Sequence, residues 1–152
     1  MRVVLQRVTE ASVKVDGEVV GQIGQGFVAL VGIGQGDDAQ VVKWMADKTV
    51  QLRVFEDDLG KMNRSLTDVG GAVLAISQFT LYGDCRKGRR PAFTDAAAPE
   101  LANQLYQQYV SAIRDQAVQV QTGIFAADMK VSLVNDGPVT MILEREAEGS
   151  SR

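Results

Sequence analysis

Ser77-Gln78-Phe79-Thr80 sets two hydroxyls and a carboxamide into an otherwise apolar run, AVLAISQFTLYGDCRKGRRPAF from Ala72 to Phe93. Four cations follow within five positions: Arg86, Lys87, Arg89 and Arg90. A buried strand that delivers polar groups at its end, beside a basic loop, suits an anionic substrate. The same residues also suit a strand that ends in a solvated charged loop. This stretch alone leaves both readings open.

The chain contains no histidine and one cysteine, Cys85. No Ser-His-Asp or Cys-His arrangement can be assembled from it. A zinc site would need carboxylates almost throughout, so no metal is expected, and no cofactor. An enzyme built from this chain works through hydroxyls, backbone N–H groups, carboxylates or its own substrate. A single cysteine forms no internal disulfide, which accords with a reducing, cytoplasmic setting. The net charge of −3 argues against indiscriminate nucleic-acid binding but leaves room for a local basic patch that meets RNA.

These groups need a scaffold. At 152 residues, 45% hydrophobic and 23% charged, the chain has the composition of one soluble globular domain, expected over 1–145 with a frayed tail at 146–152. No apolar run is long enough to span a bilayer, and the chain opens on a strand rather than a signal peptide. Val3 to Val8 and Ser12 to Val15 read as strands, with Asp16-Gly17 as a two-residue hairpin turn and Glu18 to Ile23 returning. Arg7 lies inside the first strand, where the pattern alone favours an exposed edge position. Phe27 to Ile33 is a continuous apolar run, hence a buried strand.

Gly32-Ile33-Gly34-Gln35-Gly36-Asp37-Asp38 then superficially resembles a dinucleotide loop. Asp37 stands where the third glycine belongs, and two carboxylates would repel a pyrophosphate, so Asp37 or Asp38 reads as a helix N-cap. The helix runs to about Leu52, with Val41, Met45, Lys48 or Thr49, and Leu52 on one face. Glu56-Asp57-Asp58 reads as a solvated turn between short strands, since calcium-loop spacing is missing. Gly70-Gly71 turns into the central strand, and Gly83-Asp84 is expected to break it. Pro99 opens a second helix whose buried stripe is Leu101, Leu105, Tyr109 and Ala112 or Ile113, with Tyr106 and Tyr109 as packing groups. Val118 to Thr122, Val131 to Val134 and Val139 to Leu143 complete the strands.

Two later motifs bear on function. Thr122-Gly123-Ile124-Phe125-Ala126-Ala127-Asp128-Met129 and Asn135-Asp136-Gly137-Pro138-Val139-Thr140 each join two strands. Either alone is weak, and Gly137-Pro138 by itself is an ordinary turn. Together with SQFTLYGD, in that order and spacing, they resemble the D-aminoacyl-tRNA deacylase family through Leu143.

The resemblance implies an α+β fold: a mixed or antiparallel sheet curled into a barrel-like core with two main flanking helices. It implies an esterase that removes a D-amino acid, and glycine, from the 3′-terminal adenosine of tRNA. It also implies a homodimer with active sites at the subunit interface. Ser77, Gln78, Phe79 and Thr80 then line the pocket, with Phe125 and Met129 as further members. Gly137 and Pro138, joined by a cis peptide, form a chiral gate reaching into the other subunit, and Arg7 braces it, which reverses the edge reading. Arg86, Lys87, Arg89 and Arg90 hold phosphates near the acceptor end. Ile124-Phe125-Ala126 departs from the family, where a more polar or glycine-containing version is expected. The competing readings are a non-catalytic RNA-binding module and an esterase for small neutral esters. The acidic balance weighs against the first, and four clustered cations against the second.

Overall fold

The computed structural model describes residues 1–149. Strand β1 (Arg2–Val15) pairs along one edge with β8 (Lys130–Glu144), and antiparallel with both β3 (Gly26–Gly32) and β2 (Glu18–Ile23). Beyond β3 the sheet turns parallel, through β6 (Ala72–Ser77) to β7 (Val120–Thr122). Helices α1 (Ala39–Gln51) and α2 (Pro99–Arg114) pack on it, and β4 (Phe55–Glu56) with β5 (Met62–Arg64) forms a small separate ribbon. The mixed sheet curls almost into a barrel. Gly21 of β2 lies so near β7 that a side-chain carbon there would stand 2.7 Å from the Thr122 carbonyl oxygen.

Curling explains why β3 and β6 are apolar at consecutive positions. A strand buried on both faces has no polar side to show. Phe27, Ala29 and Val31 of β3, with Val73 and Ala75 of β6, join the core beneath the helices. Val28, Leu74 and Ile76 point the other way, into a second cluster with Val8, Val13 and Ile23. Buried hydroxyls tie α2 to this sheet and the two helices to each other. Tyr106 donates to the Ala75 carbonyl at 2.6 Å, and the Tyr109 and Thr49 hydroxyls lie 2.8 Å apart between α2 and α1. Burial pushes the Tyr106 phenol up to about 12 and that of Tyr109 up as well, so both stay neutral packing groups, as expected.

Several boundaries differ from the sequence reading. The first two strands are one, β1, which bends at irregularities around Val8 instead of breaking. The last two are also one: both halves of β8 pair with β1. The central strand ends at Ser77, and Phe79–Tyr82 winds into a 3-10 turn before Gly83 is reached. Leu101 is 40% exposed, because the buried stripe of α2 runs through Ala102, Leu105, Tyr106 and Tyr109 instead. Asp16 and Gly17 form the expected hairpin turn, both with positive φ as its twist requires. Beyond residue 145, Ala147 packs on the main core, and residues 150–152 of the expected tail lie outside the described residues. Among the described residues no helix is long and apolar enough to cross a membrane.

Candidate active site

The parallel pair β3–β6 carries its polar groups to one end of the sheet. Val31 stands beside Ser77, and the Gln78 N–H extends the ladder by donating to the Val31 carbonyl at 2.8 Å. The chain then tightens into the 3-10 turn, in which Leu81 N–H donates to Gln78 and Gly83 N–H to Thr80. The first N–H groups of such a turn have no acceptor within it. Those of Phe79 and Thr80 meet no acceptor among the described residues. Two adjacent amides without acceptors, next to a hydroxyl, can stabilise a developing oxyanion.

These residues open on a cleft of about 610 Å³. It is lined by Val31, Ile33 and the four residues Ser77 to Thr80 with Phe93, by Ala96 to Pro99 with Ala102 at the start of α2, and by Phe125 to Ala127 with Met129. The structure thus assembles six of the sequence-read residues from two distant segments. Phe125 packs on Tyr106, with ring centroids 6.4 Å apart, and Met129 rests on the interior cluster, so this side of the cleft is anchored in the core. Ala126 holds φ of 66°, a left-handed conformation that costs an alanine roughly 1–2 kcal/mol relative to glycine. Ala126 belongs to the Ile124-Phe125-Ala126 stretch in which a more polar or glycine-containing version is expected.

No lining residue of the cleft carries an ionisable side chain. Its polar atoms belong to Ser77, Gln78, Thr80 and the backbone. The arrangement can orient a carbonyl group and hold negative charge on its oxygen, but within one chain it offers no general base among the described residues.

Gly137, Pro138 and Arg7 do not line this cleft. They meet elsewhere, where β8 departs from its partner. Gln6 pairs with Thr140 and Val8 with Asn135, so residues 136–139 bulge opposite the single residue Arg7. The Gly137–Pro138 peptide is cis, and both residues are exposed. Arg7 is 4% exposed, which corrects the edge reading that local pattern favours. Its guanidinium donates from Nη1 to the Val54 carbonyl at 2.7 Å and from Nε to the Asp136 carbonyl at 3.2 Å. The carboxylates of Glu56 and Asp136 stand 3.7 and 3.5 Å away. Gly137 has φ of 122°, and a side-chain carbon there would come within 3.0 Å of Arg7 Nη2. Arg7 and the glycine are therefore fitted to one another.

The basic loop is exposed and closed at its base by paired backbone bonds between Asp84 and Ala92. Arg86 is already engaged: it grips the Asp84 carboxylate with Nε at 2.9 Å and Nη2 at 2.8 Å. Hydrogen bonds from Arg86 hold that carboxyl down at about 2. Lys87, Arg89 and Arg90 form no ion pair among the described residues. Sequence reasoning missed Phe93 and the wall from Ala96 to Ala102. Small apolar residues in a loop carry no signal of what they face.

The model of the family described as D-Tyr-tRNA(Tyr) deacylase matches residues 4–144. A D-aminoacyl-tRNA deacylase of Rhodopirellula baltica is 63% identical over 144 residues, covering 95% of this chain and 99% of that protein. One from Thermus aquaticus is 57% identical over 152 residues and the full length of both chains. Among solved structures, the c-Myc DNA Unwinding Element Binding Protein superposes with a TM-score of 0.90 at 40% identity, over 97% of this chain and all of that one. A probable eukaryotic D-amino acid tRNA deacylase superposes at 0.83 with 17% identity, over 93% and 97%, a likeness of fold alone.

Proposed function

The chain belongs to the D-Tyr-tRNA(Tyr) deacylase family, and from that membership we propose how it cleaves its ester and chooses among substrates. It is a D-aminoacyl-tRNA deacylase, a hydrolase of the ester between an amino acid and tRNA. The observation that carries the mechanism is the unpaired amide pair of Phe79 and Thr80, in a cleft without an ionisable side chain. An aminoacyl ester is already activated, so orientation and oxyanion stabilisation suffice to hydrolyse it. Water adds to the carbonyl carbon, with the neighbouring ribose 2′-hydroxyl relaying its proton towards the departing oxygen. The two N–H groups receive the oxyanion, and collapse expels the ribose 3′-oxygen, which takes up a proton. The products are a free amino acid and tRNA with its 3′-hydroxyl restored.

Thr80 positions the ester rather than attacking it, because no group in its chain's cleft would activate its hydroxyl. Thr80→Ala keeps the backbone N–H and removes one neutral hydrogen bond. We expect rapid-quench kinetics to show a loss on the order of tenfold or less and no acyl-enzyme. Complete loss of turnover in a folded variant would make Thr80 the nucleophile.

Selection is by exclusion. The protein works as a homodimer in the cytoplasm, each subunit presenting its Gly137-Pro138 bulge to the cleft of the other. That the bulge is exposed and away from its own cleft supports this reading. Backbone set against the substrate α-carbon leaves room for a D side chain or none, and not for an L side chain. The deciding experiment is hydrolysis of matched D- and L-aminoacyl-tRNAs by the purified protein.

The basic loop holds acceptor-end phosphates, chiefly through Lys87, Arg89 and Arg90, since Arg86 is occupied by Asp84. Replacing Arg89 and Arg90 with alanine should weaken tRNA binding and reduce its logarithmic salt slope by roughly 1.5 for two lost phosphate contacts. A titration with the slope unchanged would take the loop out of the interface.

A further inference from the structure

Two aromatic rings that line the cleft remain partly exposed to solvent. Phe79 is 58% exposed and Phe93 is 36% exposed. Their centroids are 5.2 Å apart with the ring planes at 68°, an edge-on pair that holds each ring in place. Such a pair lining a site, rather than in the core, presents a π-face to whatever enters.

Its position in the chain says what that is. Phe93 directly follows the basic loop, one residue beyond the Asp84–Ala92 bonds of 2.7 and 3.0 Å that close it. Phe79 supplies one of the two unpaired amides at the reacting end. Ester site, cations and both rings therefore share one segment, Ser77 to Phe93, with the cations between the two rings. A single-stranded RNA end likewise brings phosphates, a base and the terminal aminoacyl nucleoside together in one short stretch. Proteins hold single strands by this combination of positive charge and base stacking, which tolerates any base because every base has a π-face.

We propose that Phe79 and Phe93 form a stacking subsite for the base of the nucleotide preceding the terminal adenosine of the substrate RNA. This rests on the deacylase reading of the adjoining cleft and adds to it a contact beyond the terminal nucleoside.

The test compares kcat/KM for D-tyrosyl-adenosine, for the D-tyrosyl ester of cytidylyl-adenosine, and for the same dinucleotide with an abasic residue in place of cytidine. The wild-type protein should gain about tenfold or more from the added cytidine, as alanine substitution at base–aromatic contacts indicates, and the abasic ester should forfeit that gain. Phe93→Leu should lose the gain, and Phe93→Tyr should restore it. Equal rates for the cytidine and abasic esters with the wild-type protein would overturn the subsite without recourse to any variant. So would Phe93→Leu lowering the adenosine and dinucleotide esters by one common factor, which would make Phe93 a cleft wall only. A partner subunit covering the rings would likewise show as no gain from the cytidine. If the wild-type protein cleaves none of the three esters, the deacylase reading of the cleft fails and the subsite falls with it.

Discussion

D-tyrosyl-tRNA and glycyl-tRNA should be hydrolysed while L-tyrosyl-tRNA is left essentially untouched, with kcat/KM for the D and L esters separated by on the order of a thousandfold. That factor corresponds to about 4 kcal/mol, which a side chain forced against fixed backbone readily costs. The proposed wall suits exclusion rather than recognition. Gly137 offers no side chain, Pro138 offers only a ring closed on its own backbone, and both stand in solvent on a four-residue bulge. Nothing there reads the identity of a side chain, so D-aspartyl esters should be cleaved alongside D-tyrosyl ones. Glycine has nothing to exclude and should enter. Steady-state hydrolysis of the purified protein on these four esters is the measurement. Comparable cleavage of the L and D esters of one amino acid would sink selection by exclusion while leaving the hydrolase in place.

What the sequence displayed of this machinery depended on how far its causes lay along the chain. The hairpin at Asp16-Gly17, the cap on α1 and the apolar central strand are local, and they were legible. Even there the two aspartates could not be told apart. Asp38 caps the helix by accepting the Val41 N–H at 3.0 Å, whereas Asp37 turns inward to the Gly34 N–H and the Met1 ammonium, the latter 36 residues away. Arg7 is the clearest case. The groups that bury it belong to Val54 and Asp136, 47 and 129 positions away, so its own neighbours suggested an edge. Only the joint resemblance of three motifs pointed the other way. Gly137-Pro138 looked like a turn between two strands because a bulge and a turn share the same local residues. That both flanks pair with β1 is information held by β1.

Arg7→Ala should combine a large loss of stability with a loss of chiral discrimination. The guanidinium is almost fully buried and donates to two main-chain carbonyls, one on each side. Removing it strands the buried Val54 carbonyl and leaves a cavity, while Glu56 and Asp136 are exposed enough for water to take up their charge. The cost should therefore be about 3 kcal/mol, near the lower end for breaking a buried ion pair. It should appear as a lower midpoint in denaturant unfolding at unchanged slope. The consequence for selection follows from the same contacts. Arg7 joins the Asp136 carbonyl, adjacent to Gly137, to Val54 at the entrance to the β4–β5 ribbon, so it fixes the bulge to a second element. Without that link the bulge is held only through its own strand, and the wall against an L side chain can yield. The D:L ratio of kcat/KM should fall, chiefly through increased cleavage of the L ester. Arg7→Lys separates shape from charge. A lysine ammonium is a point charge on a flexible stem and lacks the planar fork that engages Val54 and Asp136 together. It should recover part of the stability and little of the selectivity. If Arg7→Lys instead kept the full D:L ratio, charge alone would be holding the bulge, and the fork geometry assigned here would be wrong.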